Sequence, residues 1–172
     1  MERIKKERKE KIIEKINPDN YEISWNEEGV PYKFKKKSEI KKGRKSRGQG
    51  ARFELKVREE LESRNWIVTK WMNNIDLEKG KIIPAKRKYN PFKKVLVIGT
   101  GLPDFVAFRR YGEKCEVIGV EVKMNGILSK EEKEKCKWYL KNGVFSAIWI
   151  AKKGKKRGQI EYDDFAEKYN KT

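Results

Sequence analysis

Residues 104–123, DFVAFRRYGEKCEVIGVEVK, contain two apolar-rich runs that are separated by the turn-forming sequence YGEK at 111–114. Gly112 stands at the first central position of a two-residue loop, where a type II′ turn favours glycine. If Tyr111 lies opposite Lys114, the same antiparallel register places Asp104 opposite Glu121. The stretch therefore predicts a β-hairpin whose open end carries two facing carboxyl groups.

Two facing carboxylates repel each other, because the Cβ atoms of opposed residues lie only about 4.5–5.5 Å apart. A divalent cation or a bound proton would relieve this repulsion. Lys123 follows Glu121 by two residues, so strand periodicity places its ammonium group on the same face. Mg²⁺ prefers oxygen ligands and usually retains waters. We therefore expect Asp104, Glu121 and the carbonyl oxygen of Val122 to be its ligands.

Lys123 has three candidate roles at such a site: orienting a water molecule, accepting its proton, or stabilising charge in the transition state. We expect burial and the nearby cation to lower the pKa of Lys123. In the alternative interpretation, Asp104 and Glu121 are ordinary exposed carboxylates and Lys123 is their salt-bridge partner. It is disfavoured because apolar residues line both faces of the hairpin, Phe105, Ala107, Ile118 and Val120 on one and Val106, Phe108, Val117 and Gly119 on the other.

Helices are predicted on both sides of the hairpin. Before it, Phe53, Val57 and Leu61 recur at the spacing of one helix face, which indicates a first core helix at 50–65. After it, Ser129 and the two acidic residues at 131–132 mark the start of a second helix. The sequence Asn-Gly at 142–143 marks the end of that helix.

Strands are predicted at 66–72 and at 145–151, and the second is apolar throughout, as in a strand buried on both faces. Between the first of these strands and the hairpin, a basic insertion at 73–102 is expected to face DNA and to contain one strand, at 95–98. A basic loop at 152–158, a short strand and a short helix follow. The fold class is therefore α/β, with a mixed β-sheet flanked by helices.

The first part of the chain, 1–49, is interpreted as a basic N-terminal extension to a domain at 50–172. A short surface helix is predicted at 2–16, and alternating residues at 21–25 and 30–34 predict a small hairpin. Residues 35–50, KKKSEIKKGRKSRGQG, have almost no apolar side chains. They are expected to form a flexible basic linker.

The composition favours a polyanionic partner, because 44 Lys and Arg against 26 Asp and Glu give a formal charge of +18. Nucleic acid is the first expectation. No apolar run approaches the roughly 20 residues of a membrane-spanning helix, and no signal peptide precedes the charged start. We therefore expect a cytoplasmic protein that associates with DNA, in a host cell if it is viral, and has no membrane partner.

The absence of histidine removes imidazole acid–base chemistry and the Ser-His and Cys-His nucleophiles. Cys115 and Cys136 are isolated and match neither a disulfide framework nor a zinc site. Any metal ion must therefore be held mainly by oxygen atoms.

The sequence Gly-Leu-Pro-Asp104-Phe, followed by Glu121-Val-Lys123, resembles the PD-(D/E)XK nuclease superfamily. The order helix, strand, hairpin, helix, strand over 50–151 is similar to the restriction-endonuclease-like core of that superfamily. Within it, archaeal Holliday-junction resolvases are most similar. The resemblance implies a third acidic role for Glu54, with Glu59 and Glu60 as alternatives, although the glycine that precedes Glu54 is one residue more distant than in the resolvases. It also implies a Gln or Lys on the helix after the hairpin, for which this chain offers Lys130 and Lys133.

The expected function is a Mg²⁺-dependent DNA endonuclease that acts by in-line attack of a metal-activated water, with one or two Mg²⁺ ions and Mn²⁺ as a substitute. The resolvase resemblance implies a homodimer, since a four-way junction needs two symmetric cuts. Because the N-terminal extension and the insertion depart from a minimal resolvase, a restriction-like, repair or viral DNA-processing nuclease is an alternative. A non-catalytic nucleic-acid-binding protein is an alternative from another class. In each case DNA phosphates are expected to contact Lys41, Lys42, Arg44, Lys45, Arg47, Lys86, Arg87 and Lys88, and the basic clusters at 35–37 and 152–157 are expected to share in phosphate binding.

Overall fold

A computed structural model of the chain describes Glu14 and residues 17–85, 87–90, 95–98 and 101–169, with the backbone alone at 87–90, 95–98 and Tyr111. The chain divides into two compact units, Met1–Ala51 and Arg52–Thr172. We refer to them as the N-terminal unit and the C-terminal unit. The helix predicted at 2–16 lies outside the described residues except for Glu14, which is helical.

The N-terminal unit contains the antiparallel hairpin of β1 (Tyr21–Trp25) and β2 (Pro31–Lys36) and the beginning of helix α1 (Lys37–Ser63). The prediction of a flexible linker at 35–50 is wrong, because these residues complete β2 and form the first half of α1. Lys, Arg, Glu and Gln are good helix formers, whereas each glycine in a helix costs about 1 kcal/mol relative to alanine. The segment is thus polar and helical at once.

The C-terminal unit contains the end of α1 and a sheet with the strand order β11-β10-β9-β8-β3. Only β9 and β10 are parallel, so the sheet is mixed, as predicted. The elements after α1 are β3 (Ile67–Lys70), β4 (Asn73–Asp76), β5 (Lys81–Pro84), β6 (Arg87–Asn90), β7 (Val95–Ile98), β8 (Phe105–Tyr111), β9 (Lys114–Val122), α2 (Lys130–Lys141), β10 (Ala147–Lys153), β11 (Ile160–Asp164) and α3 (Phe165–Tyr169).

The predicted hairpin register is confirmed, since β8 pairs with β9 from Phe105 opposite Val120 to Tyr111 opposite Lys114. Gly112 has a φ of 61°, the left-handed value that the first central residue of a type II′ turn requires. This turn sets the register of the whole pair. It therefore determines which residues meet at the open end of the hairpin.

Apolar clusters cover both faces of the sheet. On one face, the α1 residues Phe53, Val57 and Leu61 pack against inward-facing side chains of β8 and β9. On the other, Cys136 and Tyr139 of α2 pack with Ile148 and Ile150 of β10 and with residues of α3. Each fully buried aliphatic side chain contributes about 1.5–3 kcal/mol relative to exposure. The helices thereby fix the hairpin in the middle of the unit.

The ends of α2 lie where the sequence predicts. Ser129 is its N-cap and forms a capping box with Glu132, and Asn142 is its C-cap. The strand predicted at 145–151 runs instead from Ala147 to Lys153. Phe145 packs in the core just before the strand, while Lys152 and Lys153 extend the pairing with β11.

The insertion at 73–102 contains more regular structure than predicted. Where one strand was expected, β4 pairs with β5 and β6 pairs with β7, both antiparallel. The strand expected at 95–98 is present as β7. In the part of the chain that the structure describes, no helix has both the length and the apolar character needed to cross a membrane.

Candidate active site

Asp104 and Glu121 meet at the open end of the hairpin, where each binds the backbone of the opposite strand. The main-chain N–H of Asp104 donates to Glu121 Oε2 at 3.1 Å, and the N–H of Val122 donates to Asp104 Oδ2 at 2.9 Å. Glu121 is only 3% exposed and is the one charged residue among the buried residues of the described regions. The reciprocal bonds hold the two carboxyl groups in fixed positions.

Lys123 lies beside this pair, as strand periodicity predicts. Its Nζ is 3.1 Å from Glu121 Oε1 and 2.7 Å from Glu132 Oε1. The other carboxylate oxygen of Glu132 accepts a hydrogen bond from the N–H of Ser129 at 2.7 Å. Glu132 thus connects the N-terminal cap of α2 to Lys123.

The two carboxyl groups of the pair are hard to ionise. Burial, followed by repulsion from Asp104, raises the pKa of Glu121 to about 8. Burial also raises the pKa of Asp104, against the lowering effect of its bond to Val122, and Glu54 adds repulsion. Such a costly pair of acids is typical of functional sites.

Lys123 behaves differently from the sequence prediction. Burial by itself lowers its pKa, but the hydrogen bond to Glu132 and the attraction of Glu121 outweigh burial and raise it. The prediction that the pKa of Lys123 is lowered is therefore wrong for the metal-free protein. Lys123 is a firmly held cation, which makes it unsuited to accept a proton near neutral pH.

These residues line an open cleft of about 390 Å³ in the C-terminal unit. Five carboxyl groups and two ammonium groups face it, so the cleft is acidic although the chain as a whole carries a charge of +18. Val122, predicted as a carbonyl ligand, is also part of its lining. A net acidic cleft attracts cations.

Glu54 lines the same cleft and forms an ion pair with Lys70, with 3.2 Å between Glu54 Oε2 and Lys70 Nζ. Of the two alternatives, Glu60 pairs with Arg64 and Glu59 is exposed, and neither lines the cleft. Across the described residues, no group of three or more His, Cys, Asp or Glu side chains is arranged to hold a metal ion. The acidic centre is therefore the Asp104–Glu121 pair, with Glu54 nearby.

The lysine that α2 contributes to the cleft is neither Lys130 nor Lys133. Lys130 is exposed outside the lining, and Nζ of Lys133 lies 4.3 Å from the ring centre of Tyr169. Lys135 faces the cleft instead and pairs with Glu131 at 2.6 Å.

The residues predicted to contact phosphates at 41–47 and 86–88 form two sets. Lys41, Lys42, Arg44, Lys45 and Arg47 are all exposed on the N-terminal half of α1. Lys86 lies outside the described residues, and only the backbone of Arg87 and Lys88 is described, on β6. The first set presents five cations along less than two helical turns.

Sequence reasoning missed Glu132 and Lys135. The motif Ser129-x-x-Glu132 is a capping box that can be read from the sequence, but its second role at Lys123 depends on how α2 packs against the sheet. Lys135 resembles any other lysine of a charged helix. Only the fold distinguishes these two residues from their neighbours.

We predict that Glu132→Gln lowers any catalytic turnover at this cleft by about 10- to 100-fold, the usual effect of losing a residue that orients a functional side chain. Gln retains the capping box, so the free energy of unfolding should change by less than about 1 kcal/mol. The turnover number measures this loss. The dissociation constant for DNA, measured in EDTA, should not change. Glu134→Gln, which removes an exposed carboxylate that pairs with Lys137, is the matched control on the same helix. Equal turnover in both variants would contradict the positioning role.

Comparison of the chain with models of protein families, with curated proteins and with solved structures gives no match. The resemblance to PD-(D/E)XK nucleases therefore rests on the motif residues Asp104, Glu121 and Lys123 and on the order of the elements along the sequence.

Proposed function

We propose that the chain is a Mg²⁺-dependent endonuclease that hydrolyses phosphodiester bonds of DNA at the cleft around Asp104, Glu121 and Lys123. The proposal rests on one observation above all: Glu121 is a buried carboxyl group placed beside a second carboxyl group in an open acidic cleft. An ordinary surface ion pair would not require this burial, which is unfavourable for a charge.

The donor set suits Mg²⁺. It comprises two carboxyl groups and neighbouring backbone, and Mg²⁺ commonly binds through one or two carboxylates while it keeps several waters. The absence of a three-residue cluster in the described regions is compatible with this mode. Mn²⁺ is expected to bind the same oxygen donors.

When bound, Mg²⁺ would supply Lewis-acid stabilisation of the scissile phosphate and activation of a water molecule. Asp104 and Glu121 would hold the ion, in ionised form, since ligating carboxyl groups must lose their protons. Lys123, kept protonated by Glu121 and Glu132, would stabilise the negative charge that develops on the phosphoryl oxygens. Glu54 would add negative charge at the edge of the site.

The proposed fold is a restriction-endonuclease-like core that comprises the end of α1, β3, the β8–β9 hairpin, α2 and β10. The five-stranded mixed sheet with helices on both faces agrees with this architecture. A junction-resolving activity would require two copies of the chain, because it cuts two strands symmetrically. Activity on ends or on ordinary duplex would not.

A non-catalytic nucleic-acid-binding protein is the main competing proposal. The exposed cations at 41–47 support binding to nucleic acid under either proposal. Two neighbouring carboxylates, however, would repel DNA phosphates. A protein that only binds nucleic acid would therefore gain nothing from the buried Glu121 beside Asp104. This difference favours the nuclease.

The test incubates the protein with plasmid, single-stranded, flap and four-way junction DNA, each with Mg²⁺ and with EDTA. We expect cleavage of at least one substrate in Mg²⁺ and of none in EDTA, and the preferred substrate defines the subclass. Binding to all four without cleavage of any would contradict the nuclease and favour the binding protein.

A further inference from the structure

A second cavity of the C-terminal unit lies outside the acidic cleft. It has a volume of about 400 Å³ and is lined by Phe53 and Lys56 of α1 and by residues 153–159. We call it the basic pocket. Five of its nine lining residues carry a positive charge and none carries a negative one: Lys56, Lys153, Lys155, Lys156 and Arg157. This composition is the reverse of that of the acidic cleft.

The charges of the basic pocket are not balanced by ion pairs in the part of the chain that the structure describes, although the N–H of Lys155 donates to Glu161 Oε1 at 3.4 Å. In the described ranges, none of the five forms an ion pair with a carboxylate, whereas the neighbouring Lys152 pairs with Asp163 at 2.6 Å and with Glu161 at 3.8 Å. All five are exposed. Like charges gathered in this way repel each other, and an anion that enters the pocket relieves the repulsion.

The loop that follows β10 and presents Lys155, Lys156 and Arg157 has a defined shape. The N–H of Gly154 donates to the carbonyl of Gln159 at 2.9 Å, and the N–H of Gln159 donates to the carbonyl of Lys156 at 3.1 Å. The N–H of Lys156 also donates to Gln159 Oε1 at 3.3 Å. A Cβ atom at Gly154 would approach the Gln159 side chain to 2.7 Å, so this closure depends on glycine. A preformed loop binds a ligand with little loss of conformational entropy.

The basic pocket lies next to the acidic cleft. Lys123 of the cleft donates its N–H to Ala151 at 2.9 Å, and Lys153 of the pocket donates its N–H to Met124 at 3.3 Å. On α1, Phe53 borders the pocket and Glu54 borders the cleft. Neighbouring strands are about 4.8 Å apart, so the segments that border the two sites adjoin each other in the sheet and on α1.

We propose that the basic pocket binds a phosphate group of the same nucleic-acid strand whose scissile phosphate lies in the acidic cleft. The inference rests on the proposed function. Its chemistry is that of charge-assisted hydrogen bonds from lysine and arginine to phosphate oxygens. The bound group is either an internal backbone phosphate or a terminal phosphate of a strand end.

The test compares Lys156→Gln/Arg157→Gln with Lys114→Gln/Lys141→Gln, a control that removes the same charge. Lys114 lies at the turn of the hairpin and Lys141 at the last residue of α2, both exposed and at the ends of their elements that are remote from the cleft. Binding of a labelled oligonucleotide is measured in EDTA over a range of salt concentrations, so that the result is independent of cleavage. Each neutralised phosphate contributes about 0.9 to the slope of log K against log salt for duplex and about 0.7 for single strands.

We expect the pocket variant to lower the affinity about tenfold or more and to reduce the salt slope by about one to two. The control variant should change the affinity less than about threefold. Lys56→Gln, on a different element, should reproduce part of the loss, which guards against an effect confined to the loop. The thermal midpoint of each variant, measured without DNA, confirms folding.

Two versions of the oligonucleotide, with and without a 5′-phosphate, identify the source of the bound group. A loss seen with both identifies an internal phosphate, and a loss confined to the phosphorylated version identifies a strand end. If the pocket and control variants weaken binding equally, the phosphate site does not exist. A protein that binds through the pocket but cleaves nothing would instead overturn the nuclease and leave the phosphate site intact.

Discussion

Replacement of Asp104 by Asn is expected to lower Mg²⁺-dependent cleavage by a factor of about 10³ or more, equivalent to about 4 kcal/mol in the activation free energy. Asn keeps an oxygen that can accept the hydrogen bond from the N–H of Val122, which Asp104 now accepts at 2.9 Å. It lacks the negative charge with which a carboxylate binds Mg²⁺. The fold should therefore persist while the metal site is lost. The measurement is the cleavage rate at saturating Mg²⁺ and DNA.

Asp76→Asn is the matched control for this substitution. Asp76 lies on β4, outside the cleft, and its Oδ1 accepts bonds from the N–H groups of Glu78 and Lys79. This variant should cleave at the wild-type rate. If Asp104→Asn retained activity within about tenfold of the wild type, with its DNA affinity unchanged, the reaction would not depend on Asp104.

Replacement of Glu121 by Gln is expected to remove cleavage and to stabilise the metal-free protein at alkaline pH. The pKa of Glu121 is raised to about 8 in the fold from an ordinary value of 4.5. Because the fold favours the protonated form of Glu121, this carboxyl group contributes its full stabilisation below pH 4.5. The stabilisation is lost as the pH rises through about 8, where the folded protein must hold a buried charge. Gln is neutral at every pH and carries no such penalty. Function and stability should therefore change in opposite directions.

The measurement is the thermal midpoint of both proteins in EDTA between pH 4.5 and 8.5. The midpoint of Glu121→Gln minus that of the wild type should rise with pH, reaching about 5–10 °C at the alkaline end. Glu116→Gln is the control on the same strand: it removes the charge that pairs with Arg109 at 3.0 Å, and it should not gain stability at high pH. If this difference in midpoint stayed constant or fell as the pH rose, ionisation of Glu121 would not destabilise the folded protein.

Local sequence chemistry was sufficient to predict the hairpin and its open end. The register followed from a glycine at the turn, a two-residue spacing and an apolar pattern on two faces. It brought Asp104 and Glu121 together. The ends of α2 were equally predictable, because Ser129 and the Asn-Gly sequence at 142–143 act through their nearest backbone neighbours. These features depend on short-range geometry.

The first half of α1 was not predictable from composition. Residues 35–50 contain many cations, several glycines and almost no apolar side chains, a pattern typical of disorder. The helix nevertheless continues from the residues anchored by Phe53, Val57 and Leu61, since extending an existing helix is far easier than nucleating one. A polar segment thus takes the structure of its amphipathic continuation.

The residues around the Asp104–Glu121 pair were harder to predict, because their positions depend on contacts between elements that are distant in sequence. Glu132 reaches Lys123 only because α2 packs with its N-terminus near the end of β9. The rise in the pKa of Lys123 follows from that contact and could not be predicted from the strand alone. The basic pocket likewise combines Lys56 with a loop about a hundred residues later in the chain.

The central claim is that the Asp104–Glu121 pair holds a catalytic Mg²⁺ ion. The most direct test mixes the wild-type protein with DNA in EDTA, then adds Mg²⁺, and measures strand scission throughout. If Asp104 and Glu121 hold the catalytic cation, scission is absent in EDTA, begins on addition of Mg²⁺ in excess of the chelator, and stops when EDTA again exceeds Mg²⁺. Scission that proceeds in EDTA, or none at any Mg²⁺ concentration on any of the four DNA structures, would contradict it.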